Sequence, residues 1–152
     1  MTPLFKKLNL KDHKQILVLN APASFNSELA MLQEVRVFTN DNQVGQIDFL
    51  LAFALTQQEV DAYASIAAQK TQGDALVWCA YPKASSKNYK CDFNRDSGWQ
   101  AFGKAGFEPV RQVAIDQDWS ALRFRRVEFI RSLTRSQGMA LSKEGKRRTE
   151  NK

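Results

Sequence analysis

Two apolar runs constrain this chain more than any other feature: IDFLLAFAL (47–55) and ALVWCAYP (75–82). Each is too short to cross a membrane and has the length of a strand covered on both faces. The segment between them, TQQEVDAYASIAAQKTQGD, predicts a helix. Thr56 and Glu59 have capping-box spacing, Val60, Tyr63, Ala64 and Ala67 form one apolar stripe, and Gly73 closes the helix. A buried strand, a helix and a second buried strand make a parallel unit whose two faces both need cover.

The flanking segments extend that pattern. QILVLNAP (15–22) reads as a buried strand stopped by Asn20 and Pro22, after a charged lead-in holding Lys6, Lys7, Lys11, Asp12 and Lys14. FNSELAMLQ (25–33) reads as a short helix capped by Asn26 or Ser27, with Leu29 and Leu32 on one face. EVRVFT (34–39) alternates like a strand, and NDNQVG turns the chain. Further on, a helix over about 94–105 points Trp99 and Phe102 inward and stops at Gly106. EPVRQVAID and WSALRFRRVEF are then separated only by Gln117 and Asp118, which admits an antiparallel hairpin and no helical crossover.

This order of elements resembles the class I S-adenosylmethionine-dependent methyltransferase fold, a Rossmann-like sheet ending in an antiparallel hairpin. Here one strand and its two helices are missing after residue 39. The expectation is a single α/β domain over 1–130 with helices on both faces and strand order 2-1-3-4-6-5, the sixth strand antiparallel. Residues 131–152 read as a basic, mobile or peripherally docked extension. The segments VLNAP, DFLLAFA, VWCAYPKASSK, CDFNRDSGW and DWSALRFR also resemble a family of small bacterial proteins of undetermined function, over most of residues 4–128.

Charge and cysteine content bear on partners. The formal charge of +6 is concentrated in 131–152, where seven basic residues face two acidic ones, so the body is close to neutral. Cys79 and Cys91 have no metal-ligand spacing and His13 is the only histidine, so neither a metal site nor a disulfide framework is expected. With no run of membrane-spanning length and no secretory signal, the expected location is the cytoplasm.

Dinucleotide and methyl-transfer folds place glycines after the first strand, because a backbone without side chains lets the cofactor approach and takes unusual turn angles. This chain has Asn20, Ala21, Pro22, Ala23 and Ser24 there, and Asp41 stands late for an acidic residue ending the second strand. His13 lies before the first strand, and no nucleophile-elbow, P-loop or zincin pattern occurs. The pairs Asp92/Asp96 and Asp116/Asp118 read as helix-start and hairpin residues.

The loop AYPKASSKNYKCDFNRD (80–96) leaves the carboxyl end of a strand, where open parallel sheets bind ligands. Lys83, Lys87, Lys90 and Arg95 offer cationic contacts and Ser85 and Ser86 hydroxyls; the bland alternative is a solvated, lysine-rich connection. Trp119 and Arg123 join the candidate set if the hairpin brings them to the same edge. The first functional expectation is therefore a non-catalytic binding or regulatory module, without cofactor, holding a small anionic ligand or a protein partner at this loop. The alternative is a divergent S-adenosylmethionine-dependent methyltransferase using the Ala21 to Ser24 turn, and a further one is nucleic-acid association through the basic tail.

Overall fold

In the computed structural model, which describes residues 2–130, six strands form one sheet. They are β1 (Gln15–Leu19), β2 (Arg36–Phe38), β3 (Phe49–Phe53), β4 (Leu76–Pro82), β5 (Phe107–Ala114) and β6 (Trp119–Arg126). The order is β2-β1-β3-β4-β6-β5, as the sequence predicts. β1 to β4 pair in parallel, and β6 runs antiparallel to both β4 and β5. The helices are α1 (Pro3–Lys7), α2 (Asn26–Ala30), α3 (Gln57–Lys70) and α4 (Gln100–Lys104). The expectations for residues 131–152, both the extension and its nucleic-acid role, lie outside the described residues.

β3 and β4 are buried along their whole length, which is why their sequences do not alternate. One face of the sheet packs Leu50, Val77, Cys79 and Phe124 against Val60, Ala64 and Ala67 of α3 and Phe102 of α4. The other packs Ile16, Phe49, Leu51 and Trp78 against Leu4, Phe5 and Leu8. α3 begins with the expected capping box: Thr56 accepts from the Glu59 N–H, and Glu59 reaches back to the Thr56 N–H. Its C-cap is Thr71, and Gly73 takes φ +59° in the turn beyond.

Three local expectations are corrected. The lead-in is not merely charged: Thr2 caps α1 with Pro3 behind it, and Leu4, Phe5, Leu8 and Leu10 are buried. Phe25, rather than Asn26 or Ser27, stands at the N-cap of α2, because a 3₁₀ turn over Ala23–Phe25 delivers its ring into the core against Phe5 and Phe53. The helix expected over 94–105 is limited to α4, since the Asn94 side chain accepts from the Asp96 and Ser97 N–H groups and forms a turn first. Among the described residues no helix is long and apolar enough to cross a membrane.

Candidate functional site

Strand order reverses direction at β1: the chain passes from β1 to β2 on one side and onward to β3 on the other. The crevice between the carboxyl ends of β1 and β3 is thus the switch point of the sheet, where ligands of such folds bind. Asn20 sits there immediately after β1 with φ 56°, a left-handed conformation that asparagine tolerates better than most side chains. The turn therefore takes the unusual backbone angle without a glycine. Its side-chain amide donates to the Tyr63 hydroxyl at 2.6 Å and, more weakly, to Glu59 Oε2 at 3.3 Å. Tyr63 in turn donates to the Phe53 carbonyl at 2.6 Å, at the end of β3. Burial pushes the Tyr63 phenol far above the ordinary tyrosine range, partly opposed by the Asn20 hydrogen bond.

Glu59 divides its two oxygens. Oε1 accepts from the Leu55 and Thr56 N–H groups and the Thr56 hydroxyl, while among the described residues Oε2 has only the long Asn20 contact. On α2, the helix after the turn, Glu28 Oε2 is buried without a hydrogen-bond partner among the described residues. At the end of β2, Asn40 caps a 3₁₀ turn that begins with Asp41. Glu59 Oε2 thus leaves a carboxylate acceptor at the crevice, with Asp41 just beyond the end of the neighbouring β2.

A second concavity, of about 580 Å³, opens beyond β4. Tyr81 and Ser120, directly opposed across β4 and β6, form its floor, and Trp99, Lys83, Arg95 and Asp96 line its sides. Trp99 is held by its indole N–H on the Arg95 carbonyl at 2.7 Å and by ring contacts with Tyr81, Phe93 and Phe124. Arg95 Nε donates to the Pro82 carbonyl at 2.8 Å, anchoring the guanidinium at the strand end.

Of the residues singled out in the sequence, Lys83 and Arg95 meet at this cavity. Ser85, Lys87 and Lys90 are exposed away from its lining. Ser86 is buried and shapes the loop: its hydroxyl donates to Asp118 at 2.8 Å and accepts from the Tyr89 and Asn88 N–H groups. Trp119 lies on the opposite face, its ring edge-on to Phe53 and tilted against Tyr89. Arg123 is paired with Trp78 in mid-strand, toward Asp74 at 4.0 Å. Burial lowers its pKa first and the like charge of Arg125 adds to this. Asp92 accepts from the Gln57 N–H at 2.7 Å and so caps α3 rather than the helix that follows it. His13 accepts from the Lys11 N–H near the amino ends of the strands.

Sequence reasoning missed Tyr81, Trp99 and Ser120 as cavity residues, and Glu59 and Tyr63 as crevice residues. The strand alternation that puts Tyr81 on the face of Cys79 was legible; its pairing with Ser120 was not.

No family model matches the chain, and no curated protein matches it. Among solved structures it is similar to a SAM-dependent methyltransferase from Aquifex aeolicus, at 11% identity and a TM-score of 0.57 over 82% of this chain and 88% of that one. It is also similar to TrmN from Thermus thermophilus, at 10% identity and a TM-score of 0.52 over 82% of this chain and 47% of that one. The N-methyltransferase NodS from Bradyrhizobium japonicum WM9 gives 10% identity and a TM-score of 0.50 over 81% and 92%. At these identities the likeness shows the fold, a Rossmann-like sheet of the methyltransferase type. It overturns two expectations drawn from the sequence, the non-catalytic binding module and the absence of a cofactor, because proteins named as methyltransferases, the first of them as SAM-dependent, share this sheet. Both expectations rest partly on the missing glycines, and Asn20 takes the left-handed backbone angle that a glycine would take there.

Proposed function

We propose that the chain is an S-adenosylmethionine-dependent methyltransferase, holding its cofactor across the crevice between the carboxyl ends of β1 and β3. The observation that carries this reading is Asn20, left-handed after β1 and tied through Tyr63 to the end of β3. The acceptors around it suit the cofactor's donors: Glu59 Oε2 and the unpartnered Glu28 Oε2 for ammonium or ribose hydroxyls, Asn40 and Asp41 at the end of β2 for the ribose. Ala21, Ala23 and Ser24 are small side chains, as a turn beside a bound cofactor requires. The cofactor supplies an electrophilic methyl group on a sulfonium. This chain's own residues orient it and present a negative rim to its positive charge.

Titration calorimetry with S-adenosylmethionine, paired with thermal unfolding, tests the reading. At ~100 times its dissociation constant a ligand stabilises by ~2.7 kcal/mol, which raises the midpoint by several degrees in a chain of this size. Glu59→Gln, which keeps the cap but removes the charge, weakens binding about tenfold. No heat and no midpoint shift at millimolar S-adenosylmethionine would sink the proposal.

A further inference from the structure

We propose that the cavity beyond β4 is the methyl-acceptor site and takes a small planar molecule carrying an oxyanion, a carboxylate or a phosphate. The acceptor role rests on the methyltransferase reading; the binding chemistry rests on the cavity alone. Tyr81 and Ser120 are opposed across β4 and β6 and both line the cavity; their side chains are largely packed, and among the described residues neither hydroxyl makes a hydrogen bond, which leaves both oxygens open to whatever fills the cavity. Two hydroxyls held on a packed floor and free of protein partners can exchange water for a ligand's polar group without breaking a protein hydrogen bond.

Charge selects the ligand's sign. Lys83 and Arg95 line the cavity and neither forms an ion pair among the described residues, whereas Asp96, the carboxylate of the lining, is exposed. Arg111 also borders the cavity, although in the register it opposes Arg123, whose pKa its charge lowers. Arg95 acts on Tyr81 directly: burial raises the Tyr81 pKa and the guanidinium opposes that rise, as it would favour any negative oxygen nearby. The Trp99 indole supplies an apolar wall, and about 580 Å³ suits a ligand of one or two rings. The cavity spans β4, β6 and β5, and its β4 edge, two strand spacings or about 10 Å from β1, is the side toward the cofactor crevice.

The full chain is titrated with phenyl phosphate, 4-hydroxybenzoate, inorganic phosphate and uncharged benzyl alcohol, following amide chemical shifts. Phenyl phosphate or 4-hydroxybenzoate is expected to bind at least tenfold tighter than benzyl alcohol, with shifts centred on Tyr81, Arg95 and Ser120. Lys83→Gln and Arg95→Gln each weaken that binding about tenfold. Tyr81→Phe and Ser120→Ala weaken it about threefold to tenfold while leaving the unfolding midpoint unchanged, since neither hydroxyl has a partner to lose. Equal affinity for benzyl alcohol, or unaltered affinity in all four variants, overturns oxyanion binding. Inorganic phosphate binding as tightly as phenyl phosphate overturns the planar ligand. S-adenosylmethionine binding failing while phenyl phosphate still binds overturns the acceptor role and the reading beneath it, and leaves the oxyanion site supported by its own arm.

Discussion

The Asn20 side-chain amide donates to the Tyr63 hydroxyl at 2.6 Å, joining the end of β1 to α3 over the switch point of the sheet. The same residue holds φ 56°. Replacing it separates the two roles. Asn20→Gly loses the hydrogen bond but keeps the left-handed turn at little steric cost, whereas Asn20→Ala loses the bond and adds strain of about 1–2 kcal/mol. Urea denaturation should find the Ala variant about 1 kcal/mol less stable than the Gly variant; equal stabilities would mean the turn relaxes out of this conformation.

Gly98 is required by close approach. A Cβ there would stand 2.6 Å from the Asn94 carbonyl oxygen, which already accepts from the Gly98 N–H at 2.8 Å. Gly98→Ala therefore breaks the turn that seats Trp99, at a cost of about 2 kcal/mol or more. Gly45→Ala, with open space around it, should change the unfolding midpoint much less.

Trp78 donates its indole N–H to the Leu8 carbonyl at 3.0 Å, fully buried, and so ties α1 to the centre of the sheet. Trp78→Phe removes ring volume and strands a buried carbonyl. Chemical denaturation should show a loss of about 2–4 kcal/mol. A loss under 1 kcal/mol would show that α1 docks by apolar contact alone.

Alkaline pH should destabilise the chain before the ordinary tyrosine range is passed. Burial raises the folded pKa of both Cys79 and Tyr63 above the ordinary thiol and phenol values of 9.0 and 10.0. The unfolded chain therefore loses those protons first. Stability from these groups is whole below about pH 9 and declines as pH rises toward the folded values. Denaturation midpoints measured from pH 7 to 11 should fall above pH 9, with a shallower slope in Cys79→Ala and in Tyr63→Phe; an unchanged slope in both would assign the fall to other groups.

Arg123 has a buried Nε without a hydrogen-bond partner among the described residues, and its contact with Asp74 is only 4.0 Å. Arg125 takes Asp74 instead, through two hydrogen bonds of 2.7 Å. Arg123→Met should leave stability within about 1 kcal/mol of the parent or raise it, because a guanidinium with an unsatisfied Nε is exchanged for apolar packing. A loss beyond 2 kcal/mol in thermal unfolding would show that the 4.0 Å pair matters more than its geometry implies.

Local patterning in the sequence determined the elements that carry their own signals: the buried runs of β3 and β4, the Thr56/Glu59 cap of α3, and the two-residue gap that makes β5 and β6 a hairpin. Those signals bring together residues close in the chain, and with parallel crossovers they were enough to order the sheet. α1 was hidden because its Thr-Pro start was read with the charges around it, although Leu4, Phe5 and Leu8 mark the buried side. The sites depended on pairs distant in the chain. Asn20 meets Tyr63 and Tyr81 meets Ser120 only after strands from separate segments adopt one register. Register also sent Trp119 to the face opposite the cavity and Arg123 to mid-strand, because side chains alternate with a period of two and one position decides the face. Sequence alone could name the residue types able to bind a ligand; the tertiary structure decided which of them share a cavity.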